Sequence, residues 1–246
     1  MKRYSWQILL ASVLIFLSAV FYFFHYAIFH DTHHIFIYLV GDIAFVPIEV
    51  LLVTVIIHRV LSAREQNARM EKLNMVIGAF FSEVGTRLLT YFSDWDPKLD
   101  KIRTDLMVTS DWTHQEFLDV SKRLKKFDYS IDINKVDLVS LRKFLGKKID
   151  FLLRLLENPT LLEHESFTEL LWAVFHLAEE LAARDNVTTL PDTDHTHLAG
   201  DIKRVYVLLV YQWLNYMGHL KNNFPYLFSL AMRINPFDQE ASPIVK

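Results

Sequence analysis

Between Ser5 and Phe29 the chain carries no Asp, Glu, Lys or Arg, an uncharged run of 25 residues. About 20 predominantly apolar residues suffice for a helix to cross a bilayer. Lys2 and Arg3 precede the run, and the aromatic cluster Phe21-Tyr22-Phe23-Phe24 lies towards its far end, where such rings suit a membrane–water interface. A cleaved signal peptide shares the basic start, but its apolar region normally spans only about 7–15 residues.

A polar link, His30-Asp31-Thr32-His33-His34, leads to a second apolar run from Ile35 to Ile57, closed by His58 and Arg59 and followed by Arg64, Arg69 and Lys72. Basic residues flank both outer ends and none lies in the link. The positive-inside rule then puts both termini in the cytoplasm, in an inner or plasma membrane. Residues 1–59 read as a transmembrane hairpin with spans at about 5–29 and 35–58. Everything after it is expected in the cytosol.

The second span contains Asp42 and Glu49, with Pro47 between them. Seven residues make nearly two helical turns, so the two carboxylates share one face, with Tyr38 close to that stripe. Charge inside a bilayer is costly and turns towards protein or water, and Pro47 leaves the carbonyl of Ile43 without its helical donor. Two readings follow. In one, several copies assemble and Asp42 and Glu49 line a pore. In the other, each carboxyl is protonated or hydrogen-bonded to a neighbour, with Tyr22 or His25 near the depth of Asp42 and no equally obvious partner for Glu49 in the first helix.

The remainder of the chain is helical by pattern. Only 6 Gly and 7 Pro occur, which favours long helices over a turn-rich β fold. Residues 60–93 read as a helical stalk, with Leu73, Val76, Ile77, Phe80, Phe81, Val84, Leu88, Leu89 and Phe92 on one face. Residues 94–236 read as a cytosolic helical domain and 237–246 as a loose tail. Asp96-Pro97 opens a helix to about Met107, and Thr113 with Glu116 has capping-box spacing for the next. Lys135–Glu157 is expected as one helix. Ser166 with Glu169 is a second capping box, and Thr193 or Asp194 caps a long helix to Lys221. The fold class is all-α: a two-helix transmembrane hairpin followed by a cytosolic helical bundle.

The chemistry is less sharply written. The absence of Cys excludes disulfides, thiolate metal sites and Cys nucleophiles. A net charge of −3 argues against nucleic acid as a partner. Asp192, Asp194, His195, His197 and Asp201 form the richest polar cluster. Asp194, His195 and His197 are the weak metal candidates, but capping accounts for most of the cluster and puts Asp201 on the solvent face. His176 shares a helix face with Glu179, among aromatic residues that, like Trp95, Trp112, Trp172 and Trp213, read as core. Two basic runs, Lys122-Arg123 with Lys125-Lys126 and Arg142-Lys143 with Lys147-Lys148, suit lipid headgroups or a small anionic ligand, or serve as solvated faces. There is no phosphate loop, dinucleotide fingerprint or nucleophile elbow, and no catalytic residue or cofactor is indicated. The expected function is a membrane-anchored helical module that binds a cytosolic protein or small ligand as a homo-oligomer. The alternative is a small cation or proton channel lined by the second span.

Overall fold

The structure is a computed structural model that describes residues 2–162 and 164–245. The side chains of Lys2, Arg3 and Arg69, which carry part of the topology argument, lie outside the described residues. All regular elements among the described residues are helical. The chain divides into two compact units, Met1–Gln66 and Asn67–Lys246.

The first unit holds α1 (Lys2–Phe29) and the larger part of α2 (Thr32–Phe80), as far as Gln66. The link between them is shorter than the sequence suggests. Asp31 Oδ1 accepts the backbone N–H groups of His33 at 2.9 Å and His34 at 3.2 Å, so this carboxylate caps α2 and both histidines join its first turn. His30 makes the reversal at a φ of 52°. The His25 ring lies 6.3 Å edge-on from His34, and His34 stacks on Tyr38 at 4.9 Å. Large apolar side chains along both helices, among them Leu14, Phe16, Phe23, Val40, Ile43, Leu51 and Ile56, are exposed. By length and composition, both helices are apolar enough to cross a membrane.

In the second unit, the rest of α2 buries Leu73, Ile77 and Phe80. A π turn, Phe81–Gly85, then passes directly into α3 (Thr86–Trp95). Periodicity does not announce this turn. Gly85, its last residue, leaves room for the rings of Phe80 and Phe81, and a Cβ at that position would stand 2.6 Å from Phe81.

After α3, Asp96 Oδ1 accepts the N–H of Lys98 at 2.8 Å, but the expected helix to Met107 breaks into a 3₁₀ turn at Leu99–Lys101 and α4 (Arg103–Leu106). α5 (His114–Lys125) begins on the Thr113–Glu116 capping box. The single helix expected over 135–157 is two, α6 (Leu138–Gly146), capped by Asp137, and α7 (Ile149–Leu156), parted where Gly146, Lys147 and Lys148 interrupt the apolar stripe. After the one-turn α8 (Pro159–Leu162) comes α9 (Glu165–Ala182). Its cap is His164, whose Nδ1 accepts from Phe167 N at 3.2 Å; Ser166 is already helical and its hydroxyl receives Gln212 at 2.8 Å.

α10 (Asp192–Asn223) is the central helix and contacts α3, α5, α9 and α11 (Pro225–Arg233). Leu198, Ile202, Val205, Leu209 and Met217 form its buried stripe. Trp95 and Trp213 are buried, whereas Trp172, read as core from the sequence, is 56% exposed. Beyond α11, Phe237 is buried against Trp213, with ring centroids 5.1 Å apart.

Candidate functional site: an imidazole–carboxylate cluster

The polar cluster of the sequence is divided by the fold and rebuilt with different members. Asp194 lies inside the first turn of α10, which Pro191 caps, so neither it nor Thr193 is the cap. Its carboxylate is held by Arg184, Nε to Oδ2 at 2.7 Å and Nη2 to Oδ1 at 2.6 Å. This contact holds the Asp194 carboxyl below its ordinary range and raises the guanidinium. His195 lines a cleft of about 540 Å³ with Ile133, Val187 and Asp192, and its Nδ1 is buried without a hydrogen-bond partner among the described residues. His197 points elsewhere, so the three weak metal candidates do not converge.

His197 instead meets Asp201 one turn further along α10, Nε2 to Oδ2 at 3.3 Å. The same i, i+4 arrangement recurs on α9, where His176 Nε2 is 3.7 Å from Glu180 Oε1. The two pairs close on one another, His176 Nε2 to Asp201 Oδ2 at 3.7 Å and His197 Nε2 to Glu180 Oε2 at 3.6 Å. Lower-numbered residues of α9 face higher-numbered residues of α10, so the helices are antiparallel here. Ser166 with Gln212 and Arg184 with Asp194 keep the same sense.

Asp201 is the deepest member. Its side chain is only 4% exposed, because it lies between Leu198 and Ile202 on the buried stripe of α10. The expectation of a solvent-facing Asp201 is therefore overturned. Oδ1 is 3.2 Å from Arg204 Nη1, while Oδ2, facing both imidazoles, is buried and has no hydrogen-bond partner among the described residues. Glu180 is anchored in the same manner, Oε2 lying 2.8 Å from Arg184 Nη1, which holds its carboxyl below the ordinary range. The imidazoles are the more exposed members, with side chains 45% and 51% exposed for His176 and His197. Sequence spacing paired His176 with Glu179; in the structure Glu179 is exposed and Glu180 faces the ring. The usable signal was the repeated i, i+4 pairing of His with an acid, which becomes a cluster only when α9 lies along α10.

The other sequence candidates are dispersed. Asp42 and Glu49 are exposed, with no hydrogen bond or ion pair among the described residues; Tyr38 packs on His34, and Pro47 stays inside continuous α2. No described group donates to Asp42, because His25 turns to His34 and Phe29. Of the basic residues, Arg123 pairs with Asp105 at 2.7 Å, Lys148 with Glu83 at 2.6 Å, and Lys122 lies 4.0 Å from Asp119. Lys125 lies over the Tyr211 ring, and Arg142 donates to the carbonyls of Ala182 and Asp185 at the end of α9. Lys126, Lys143 and Lys147 remain exposed to solvent.

No solved structure matches the chain. Residues 2–61 match the N-terminal helical domain, and residues 69–233 the C-terminal helical domain, described for the uncharacterized protein MJ1433. That protein, from Methanocaldococcus jannaschii, is 49% identical over 240 residues, covering 98% of this chain and 96% of the relative. The chain belongs to the family of the uncharacterized protein MJ1433.

Proposed function

We propose that the protein is a membrane-anchored helical binding module. Lipid covers α1 and α2 as far as about Ile57, the His30–Asp31 reversal lies outside, and the unit from Asn67 onward works in the cytoplasm on a protein or small ligand, as part of a homo-oligomer. The carrying observation is the exposure of the large apolar side chains between Ile8 and Ile57. Soluble monomers rarely expose contiguous apolar patches larger than a few hundred Å². The basic residues outside the two spans and their absence from the link support the orientation.

The chain has no Cys, so single introduced cysteines report topology without background. Thr32→Cys should react with a membrane-impermeant maleimide in intact cells, and Ser242→Cys only after permeabilisation. Release of the protein from membranes by alkaline carbonate, or the reverse labelling pattern, would overturn the anchor and its orientation respectively.

A second reading draws on Asp42 and Glu49, two carboxylates in an otherwise apolar stretch with no partner among the described residues. In an oligomer, rings of these side chains would line a cation path beside Tyr38 and Pro47. Light scattering corrected for detergent decides its fate. Two spans per chain need at least about four copies to enclose water, so a monomer or dimer removes the pore and leaves the anchor.

A further inference from the structure

We infer that His176, Glu180, His197 and Asp201 bind one divalent transition-metal ion of the zinc or cobalt type, which clamps α9 to α10. This goes beyond the anchoring proposal and stands without it.

The donor set is the first argument. Two imidazoles and two carboxylates suit zinc-like ions far better than calcium or magnesium, which take oxygen ligands almost alone. Spacing is the second. Asp201 Oδ2 stands 3.3 Å from His197 Nε2 and 3.7 Å from His176 Nε2, and Glu180 Oε1, the oxygen not held by Arg184, stands 3.7 Å from His176 Nε2. These separations lie near the edge of a coordination tetrahedron, about 3.4 Å when metal–ligand bonds are about 2.1 Å. The third argument is Asp201 Oδ2, a buried carboxylate oxygen that faces both imidazoles and lacks a hydrogen bond among the described residues. A buried acceptor left so is costly and calls for a charge opposite it.

The surroundings have the form that metal-ligating carboxylates take. Each acid gives one oxygen to an arginine, Asp201 to Arg204 and Glu180 to Arg184, which fixes its orientation. Among the described residues, no group of three or more His or acidic side chains stands as a ready-made metal site. Binding therefore includes a small closure, and the half-exposed imidazoles are the groups free to make it, while the two acids are pinned. Protons leave with binding wherever an imidazole was charged.

The test uses the full-length chain in detergent, without a polyhistidine tag, and Co²⁺ alone as the probe. One equivalent should give the visible absorption of a four- or five-coordinate ion, and Zn²⁺ should displace it. The His176→Gln, His197→Gln double variant should lose that absorption. Arg204→Ala, which removes only the support of Asp201, should weaken Co²⁺ by about 10–100-fold. His33→Gln with His34→Gln, on the link between α1 and α2, should leave it unchanged. A second readout avoids variants altogether: Zn²⁺ should raise the melting temperature of the wild-type chain and EDTA should reverse the rise. Absence of the one-equivalent cobalt band in the wild type, or an undiminished band in a folded double variant, overturns the inference and leaves the cluster as an ion-pair network. Should the double variant not fold, a wild-type melting temperature indifferent to Zn²⁺ overturns it equally.

Discussion

Arg184 grips Asp194 in a two-pronged hydrogen bond that spans the loop between α9 and α10, with N–O distances of 2.7 and 2.6 Å. The planar guanidinium matches the carboxylate in a way an ammonium cannot. Arg184→Lys should therefore lower the melting temperature of the full chain almost as much as Arg184→Ala. Recovery of wild-type behaviour by lysine would show that charge alone, and not the fork, fixes the start of α10.

Asp128 accepts from Lys203 at 2.8 Å and from Lys98 at 2.7 Å, tying α10 to the turn after α3. These bonds, that from Lys203 first, lower its pKa to about 2. A depressed acid contributes stability above its unfolded pKa of about 4, lost as pH falls through the folded value. Urea midpoints between pH 5 and pH 2 should fall more steeply for the wild type than for Asp128→Asn. Parallel curves would refute the bridge.

Asp96 behaves in the opposite sense. Burial raises its pKa, outweighing the N–H of Lys98 and the other contacts that lower it. Ionisation then costs stability, and the cost grows as pH rises through the raised value. Asp96→Asn should gain on the wild type between pH 4 and pH 7 in the same urea assay, and a constant difference would show that desolvation of the carboxylate is not the controlling effect.

Gly85 has no room for a side chain, since a Cβ would stand 2.6 Å from Phe81 and 2.9 Å from Phe80. Both rings are buried and cannot swing aside freely. Gly85→Ala should cost about 1–3 kcal/mol by overpacking. A gain in stability, as expected of Ala in an open helix, would mean that the π turn relaxes without loss.

Leu177 and Trp172 share α9 and differ in surroundings, one fully buried and the other 56% exposed. Leu177→Ala should cost about 2–5 kcal/mol. Trp172→Ala should change stability by about 0.5 kcal/mol or less, in keeping with a surface position.

These contrasts mark what the sequence could convey. Helical character and the two apolar helices were legible because they rest on composition and on spacings of three and four. The Thr113–Glu116 box was legible because all its parts lie within four residues. His164 was not, since an imidazole is an uncommon cap and the Ser166–Glu169 spacing imitated a better one. Lys135–Glu157 read as one helix because neither Gly146 nor two lysines stops a helix as surely as proline. The π turn could not be foreseen, because the spacing of apolar residues runs through it undisturbed. Asp201 was partly legible: its place between Leu198 and Ile202 marks the buried stripe, but its charge argued for solvent. The meeting of His176 and Glu180 with His197 and Asp201 depends on two helices lying side by side, which no local spacing encodes.

The π turn also carries a consequence for insertions and deletions. A π-helical turn holds more residues than an α-helical turn of the same stretch, and each residue of an α-helix advances the chain by about 100°. Deleting one codon from Phe81–Gly85 would leave an unbroken α-helical ladder, so the lesion would be invisible in the backbone. Because the π turn already holds its extra residue within about the rotation of an α turn, Leu88, Leu89 and Phe92 would keep their face to the core. The same one-residue loss in the α-helical stretch before Phe81 would instead rotate them by about 100°, so reading-frame-preserving loss should be tolerated better inside the π turn than just before it.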